Sequence, residues 1–343
     1  MKHLFRFWRL KYSVFLLLFC IALGSCLQFA KKTPIAIDPV PSVVVASANK
    51  PVAPIPLAIA LDRQKVALGE KLFGDPLLSR DGSVSCASCH LLSLGGTDRL
   101  PQSIGIDGLK GELNAPTVLN SVFNFRQFWD GRAETLEEQI DGPIRDRREM
   151  DSNWPDIVAK LKANHDYRQQ FHQIYPEGIT PDNIRNAIST YESSLITPNS
   201  RFDRFLRGDE KALSTTEKEG YQNFQAYGCI SCHQGVNLGG NMFQSFGIFG
   251  DYFTDRGNIK KADLGRYNIT QKESDRHVFK VPGLRNVAQT SPYFHDGSAD
   301  SLAEAVKIMG RYQLGRSLNP KEIDEIVQFL NTLTGEIPTQ LKP

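Results

Sequence analysis

The chain has 343 residues, 41% of them hydrophobic and 23% charged, with a formal net charge of +2. Length and composition fit a soluble globular body of about two domains, and a charge so near zero gives no argument for a nucleic-acid partner. Of six cysteines, four stand in two short strings and two near the N-terminus, which leaves none in the body for structural disulfides.

Residues 1–26 read as a lipoprotein-type signal. Lys2, Arg6, Arg9 and Lys11 make a basic start, and Ser13–Leu23 is an apolar run short for a bilayer span. Leu23-Gly24-Ser25-Cys26 resembles a bacterial lipobox, with Cys26 taking the lipid and Cys20 inert inside the apolar run. The expected location is the periplasm, with the lipid as a membrane tether; simple cleavage and a retained anchor are the alternatives. Residues 27–56 carry Pro34, Pro39, Pro41, Pro51, Pro54 and Pro56 and read as a semi-extended linker.

Leu61, Lys65, Leu68 and Leu72 recur at helical spacing before the first string, Cys86-Ala87-Ser88-Cys89-His90. A second helical lead, Ser214–Phe224, precedes the second string, Cys229-Ile230-Ser231-Cys232-His233. Cys-x-x-Cys-His is the attachment signature of c-type haem. Two thiols three residues apart add to the two vinyl groups of one porphyrin, and the adjacent His reaches the iron. A zinc or disulfide site would need further Cys partners, and the count does not supply them. Gly235–Gly250 is rich in Gly and Phe and reads as a loop around a cofactor. Asn319-Pro320 starts a last helix, Ile323, Ile326, Val327, Leu330 and Leu333 form its apolar stripe, and Gly335 is its expected stop. The reading is mainly α: two cytochrome c-like domains, residues 57–207 and 208–337, each with one covalently bound c-type haem.

Further motifs separate the strings. They are Asn114-Ala115-Pro116-Thr117-Val118-Leu119-Asn120, Phe128-Trp129-Asp130-Gly131-Arg132-Ala133, Leu136-Glu137-Glu138-Gln139, Gly142-Pro143 and Glu149-Met150. After the second string come Phe279-Lys280-Val281-Pro282, Leu284-Arg285-Asn286 and Ser291-Pro292-Tyr293-Phe294-His295-Asp296-Gly297. In this order, over roughly residues 60–335, they closely resemble the bacterial di-haem cytochrome c peroxidase family.

The resemblance implies the roles. His233 and Met309 would ligate the second, electron-accepting iron, a soft thioether raising its potential. Met309 is the best placed of the four methionines, Met242 lying in a loop just after the second string. His90 would hold the first iron, where hydrogen peroxide reacts. Glu149 matches the family's acid/base and Gln139 a distal-pocket Gln; without the resemblance, Glu149 beside Arg145, Asp146, Arg147 and Arg148 would read as a surface charge. Glu137 and Glu138 read as helix-surface charges. Trp129 matches a Trp between the haems, as an electron path or as an ordinary core aromatic, and His295 has an expected structural role. Asn114, Thr290 and Pro292 match the ligands of a calcium ion between the domains.

One position departs from the family. A Ser-Ile-Gly-His stretch that caps the first iron in most members reads Ser103-Ile104-Gly105-Ile106 here, and none of the seven histidines lies between Leu91 and Asn114. The first iron is therefore expected to be open to peroxide without prior reduction. The implied activity is reduction of hydrogen peroxide to water with electrons from a small periplasmic cytochrome c or cupredoxin; relatives form homodimers, and whether this chain does is left open by the sequence. The alternatives are a protein-modifying di-haem oxidase of the methylamine dehydrogenase maturation type, in which a Tyr stands at the position of Met309, and a non-catalytic electron-transfer cytochrome.

Overall fold

Each half of the chain is organised by a helix that leads into its Cys-x-x-Cys-His string and a later helix that crosses back over it. The computed structural model describes residues 51–337; the signal and lipidation readings, Cys20 and Cys26 included, and residues 27–50 of the linker lie outside that span. No helix among the described residues is long and apolar enough to cross a membrane.

In the first half, α1 (Arg63–Gly74) begins where the Asp62 carboxylate accepts the Gln64 and Lys65 N–H groups. Leu61 therefore stands just outside the helix its spacing suggested. Next come α2 (Leu136–Arg145), capped by Thr135, α3 (Trp154–Ala163), α4 (His165–Ile174) and α5 (Pro181–Ser194), with Thr180 as cap and Pro181 at the first position. In the second half, α6 (Thr215–Ala226) opens on a Ser214–Glu217 capping box, α7 is Leu302–Ile308, and α8 (Pro320–Asn331) opens on an Asn319–Glu322 box.

The two halves repeat one crossing. A Cβ on Gly69 of α1 would lie 2.0 Å from the Ala187 carbonyl oxygen of α5, and one on Gly220 of α6 would lie 1.9 Å from that of Glu325 on α8. Only glycine permits such close backbone approach. The next contacts are Tyr191 and Phe329, again at matching positions. Apolar faces on either side bury two separate clusters, one spanning Leu68–Leu195 and one joining Val52 to Phe202–Leu333.

Three local expectations need correction. The Gly235–Gly250 stretch contains a short strand, β1 (Phe243–Ser245), antiparallel to β2 (Val278–Lys280) with Phe243 opposite Lys280. Gly335 does not stop α8, which ends at Asn331; a Cβ there would lie 1.9 Å from the Thr197 carbonyl oxygen, so its smallness serves packing. The last residues read as linker, 51–56, are built into the body: Val52 and Ile55 are buried, Gly235 N–H donates to the Pro51 carbonyl (2.7 Å), and Arg285 reaches the Ala53 carbonyl (3.0 Å).

Candidate functional site

Cys86–Cys89 forms one helical turn, and His90 follows at its end. The His90 Nδ1 lies 3.2 Å from the Gly96 carbonyl oxygen. A carbonyl only accepts, so Nδ1 carries the proton and Nε2 is left as a ligand. Phe73 of α1 packs against the imidazole at 6.4 Å. Burial holds His90 below its ordinary range, in the neutral form a metal requires, and pushes the Cys86 thiol up to about 12 and that of Cys89 to about 11. All three line a cavity of about 490 Å³.

Glu149, Gln139 and Trp129 line the same cavity. Glu149 follows α2, its backbone set by the Asp146 carbonyl behind it (3.1 Å) and by the Ile106 N–H, which donates to the Glu149 carbonyl (2.9 Å). Burial, helped by the charge of Asp146 and opposed by Arg132, pushes its carboxyl up to about 7. This is no ordinary surface acid, despite its charged neighbours in sequence. Ile106 itself is fully buried and is not among the lining residues. His90 is the one histidine of the lining, and Met150, its one methionine, packs in the first apolar cluster. Glu138 is exposed, as a helix-surface charge should be, whereas Glu137 is half-buried and accepts a hydrogen bond from the Ser189 hydroxyl (2.9 Å).

The second cavity, about 260 Å³, repeats the arrangement. The His233 Nδ1 lies 3.2 Å from the Leu238 carbonyl, and Phe224 of α6 packs at the same 6.4 Å. Burial pushes this imidazole down to about 4 and the Cys229 thiol up to about 11. Met309, first residue of a π-turn that continues α7, lines the cavity with Cys229, Cys232 and His233; Met242 does not.

Trp129 and Asn114 line both cavities. The indole N–H donates to the Asn114 carbonyl (2.9 Å), and the Trp129 carbonyl accepts the Lys280 N–H (2.8 Å). The Asn114 amide nitrogen donates to the Leu100 carbonyl (2.8 Å), which turns its side-chain oxygen to other uses; Thr290 and Pro292 line the second cavity with it. His295 is buried, with Nε2 2.7 Å from an oxygen of Asp263. Although burial opposes it, His295 and Arg256 hold the Asp263 carboxyl well below the usual range.

In each cavity two cysteine sulfurs stand beside an imidazole whose Nδ1 is held by a backbone carbonyl, which is the donor set of one thioether-linked, His-ligated haem. Sequence reasoning missed three groups around these cavities. Asp263 lies in a polar loop with no local signal of its pairing. Lys280 reads as one letter of a motif. Glu192 on α5 is 5% exposed and lines the first cavity, its Oε2 without a hydrogen-bond partner among the described residues. Burial and nearby Glu137 push it up to about 8. Counted from the helix crossing, its counterpart in the second half is Leu330.

A family model for di-haem cytochrome c peroxidase matches residues 63–211. The cytochrome c peroxidase Ccp of Escherichia coli is 50% identical over 84% of this chain; the chain spans 62% of that protein's length. The cytochrome c551 peroxidase of Nitrosomonas europaea is 46% identical over 87% of this chain and 88% of its own. Among solved structures, a MauG-like protein associated with microbial copper homeostasis superposes with a TM-score of 0.74 at 29% identity, covering 84% of this chain and 95% of its own.

Proposed function

Since the chain belongs to the di-haem cytochrome c peroxidase family, we propose that it reduces hydrogen peroxide to water with electrons from a small periplasmic cytochrome c or cupredoxin. The observation that carries this reading is Glu149, a half-buried carboxyl pushed up to about 7 in the cavity of Cys86, Cys89 and His90. When bound, the two haems supply a redox iron to each cavity, one taking electrons from the donor and the other taking peroxide. Peroxide is a weak acid, and its reduction moves a proton between its two oxygens. Glu149 accepts that proton and returns it to the departing oxygen, so that water leaves. With two electrons and two protons in all, one peroxide gives two waters. Gln139, on the same wall, offers an amide to orient the substrate.

Met309, which lines the second cavity with His233, would be the second protein ligand to the iron held there; a thioether suits an electron acceptor and speaks against the protein-modifying reading. A pure electron-transfer cytochrome would not need Glu149. Reduced cytochrome c or cupredoxin supporting turnover, and cyanide binding to the oxidised protein, separate the three. At the first iron the far side would stay open, because Ile106 offers no ligand atom and no second histidine lines the cavity. Oxidised protein should then react with peroxide at once, without prior reduction.

The body is two cytochrome c domains, 57–207 and 208–337, supported by the two apolar clusters. The Asn114 side-chain oxygen and the Thr290 and Pro292 carbonyls, all hard oxygen donors, would hold a calcium ion. The protein is periplasmic, because covalent haem attachment is an export-side process in bacteria. It is tethered through Cys26 and dimeric. The central test is Glu149→Gln. Both haems should remain, while kcat/KM for peroxide falls by roughly 10²–10⁴-fold; full activity would refute the assignment.

A further inference from the structure

The second cavity contains a cation with nothing to neutralise it. Lys280, the last residue of β2, is 6% exposed and lines the cavity. No acceptor among the described residues takes a hydrogen bond or ion pair from its ammonium, although its backbone N–H is fixed on the Trp129 carbonyl at 2.8 Å. The lining has one other Lys or Arg, Arg285, and that guanidinium is fully employed: 2.8 Å to Asp203, 3.0 Å to the Val236 carbonyl and 3.0 Å to the Ala53 carbonyl. No Asp or Glu lines the cavity. Burial pushes the Lys280 ammonium down to about 8. A buried charge is tolerated when it is paired, so the missing anion has to arrive with whatever fills the cavity. A c-type haem brings two carboxylates.

We propose that Lys280 is the counter-ion of a propionate of the haem bound through Cys229, Cys232 and His233, and that this pairing raises the haem's midpoint potential. The proposal rests on the haem reading of the second cavity. Its logic is electrostatic: with the propionate charge neutralised, nothing nearby favours the ferric iron, and removing the lysine would restore that preference in a medium of low dielectric constant.

The test uses the purified di-haem protein as Lys280→Met, which keeps the aliphatic length, and Lys280→Arg, which keeps the charge. Haem content per chain is counted first, from the pyridine haemochrome spectrum. Redox titration then follows each haem separately, and resonance Raman spectra report the propionate bending modes. In Lys280→Met the second haem should shift toward the ferric form by about tenfold, or 59 mV for one electron. Its propionate modes should move, and the first haem should stay where it was. Lys280→Arg should remain near wild type. A fully loaded Lys280→Met protein with an unmoved second potential overturns the proposal, as does Lys280→Arg falling as far as Lys280→Met. If Lys280→Met loads only the first haem while Lys280→Arg loads both at the wild-type potential, the charge is required there and the proposal stands. A wild-type chain carrying no second haem would defeat the haem reading itself, and the proposal with it.

Discussion

The two cavities share a scaffold and differ in charge. Each is reached from a helix that crosses a later one at a glycine, each holds a Phe at 6.4 Å from its histidine, and each histidine is fixed through Nδ1 by a backbone carbonyl at 3.2 Å. The first is lined by Glu112, Asp130, Asp146, Glu149 and Glu192 beside Arg132, Arg148 and Lys261; the second is lined by no acid, and by Lys280 and the paired Arg285. At matching positions the first half buries Glu192 and the second Leu330. On the proposed function, one helical frame serves proton chemistry or electron storage according to the groups that face its cavity. Carboxyls near neutrality suit proton transfer to a substrate, whereas a thioether and an ammonium favour a reduced iron.

The comparison breaks most visibly if the first iron is closed as the second is. Ile106→His should make the oxidised protein unresponsive to peroxide until a reductant is added, whereas the parent protein responds at once; stopped-flow spectra with and without ascorbate distinguish the two. A parent protein that itself needs reductant would erase the proposed difference between the cavities.

Next in size is pH. The Glu149 carboxyl, raised to about 7, is neutral below that pH and ionised above it. As the proposed proton acceptor it must be ionised, so kcat/KM for peroxide should climb by about tenfold per pH unit below the midpoint and level off above it. A flat profile across pH 7 would sink the acid/base role. The second haem's midpoint, followed over the same range, gives the matching view of a cavity without carboxyls.

Smaller effects test the shared frame. Gly69→Ala and Gly220→Ala each push a methyl into the backbone of the crossing helix, at a cost of about 1–3 kcal/mol. Thermal melts should register both, and similar losses would show that the two crossings carry similar weight. The smallest effect concerns Glu192. Its carboxyl, raised from 4.5 to about 8, holds a proton in the folded protein that the unfolded chain releases, so stability falls as pH rises through that window. Glu192→Gln should flatten the decline by about 1 kcal/mol. An unchanged slope would mean that another group governs it.

The parts of this structure that depend on short-range chemistry are legible in the sequence. The two Cys-x-x-Cys-His strings state their cofactor, and Asn319-Pro320 and Ser214 mark true helix starts because capping is settled within four residues. Glu149 is legible only through the resemblance, since its burial comes from packing against the segment of Ile106, distant in sequence. Lys280, Glu192 and Asp263 are silent for the same reason: a charge read along a chain gives no sign of whether water will reach it once distant segments close over it. Gly335 misleads in the opposite way, as a residue that looks like a helix stop but is small because the Thr197 backbone passes alongside.

The ends of the described chain change sides. Val52 packs in the cluster of the second half, although the first half follows it directly, while Ile337, after the second half is complete, packs on the cluster of the first. Each half is thus clasped by a strand of sequence from beyond the other. Cutting the chain between them would not yield two self-sufficient pieces, and calorimetry of the whole body should meet one cooperative melting unit in which losing either clasp loosens both partners together.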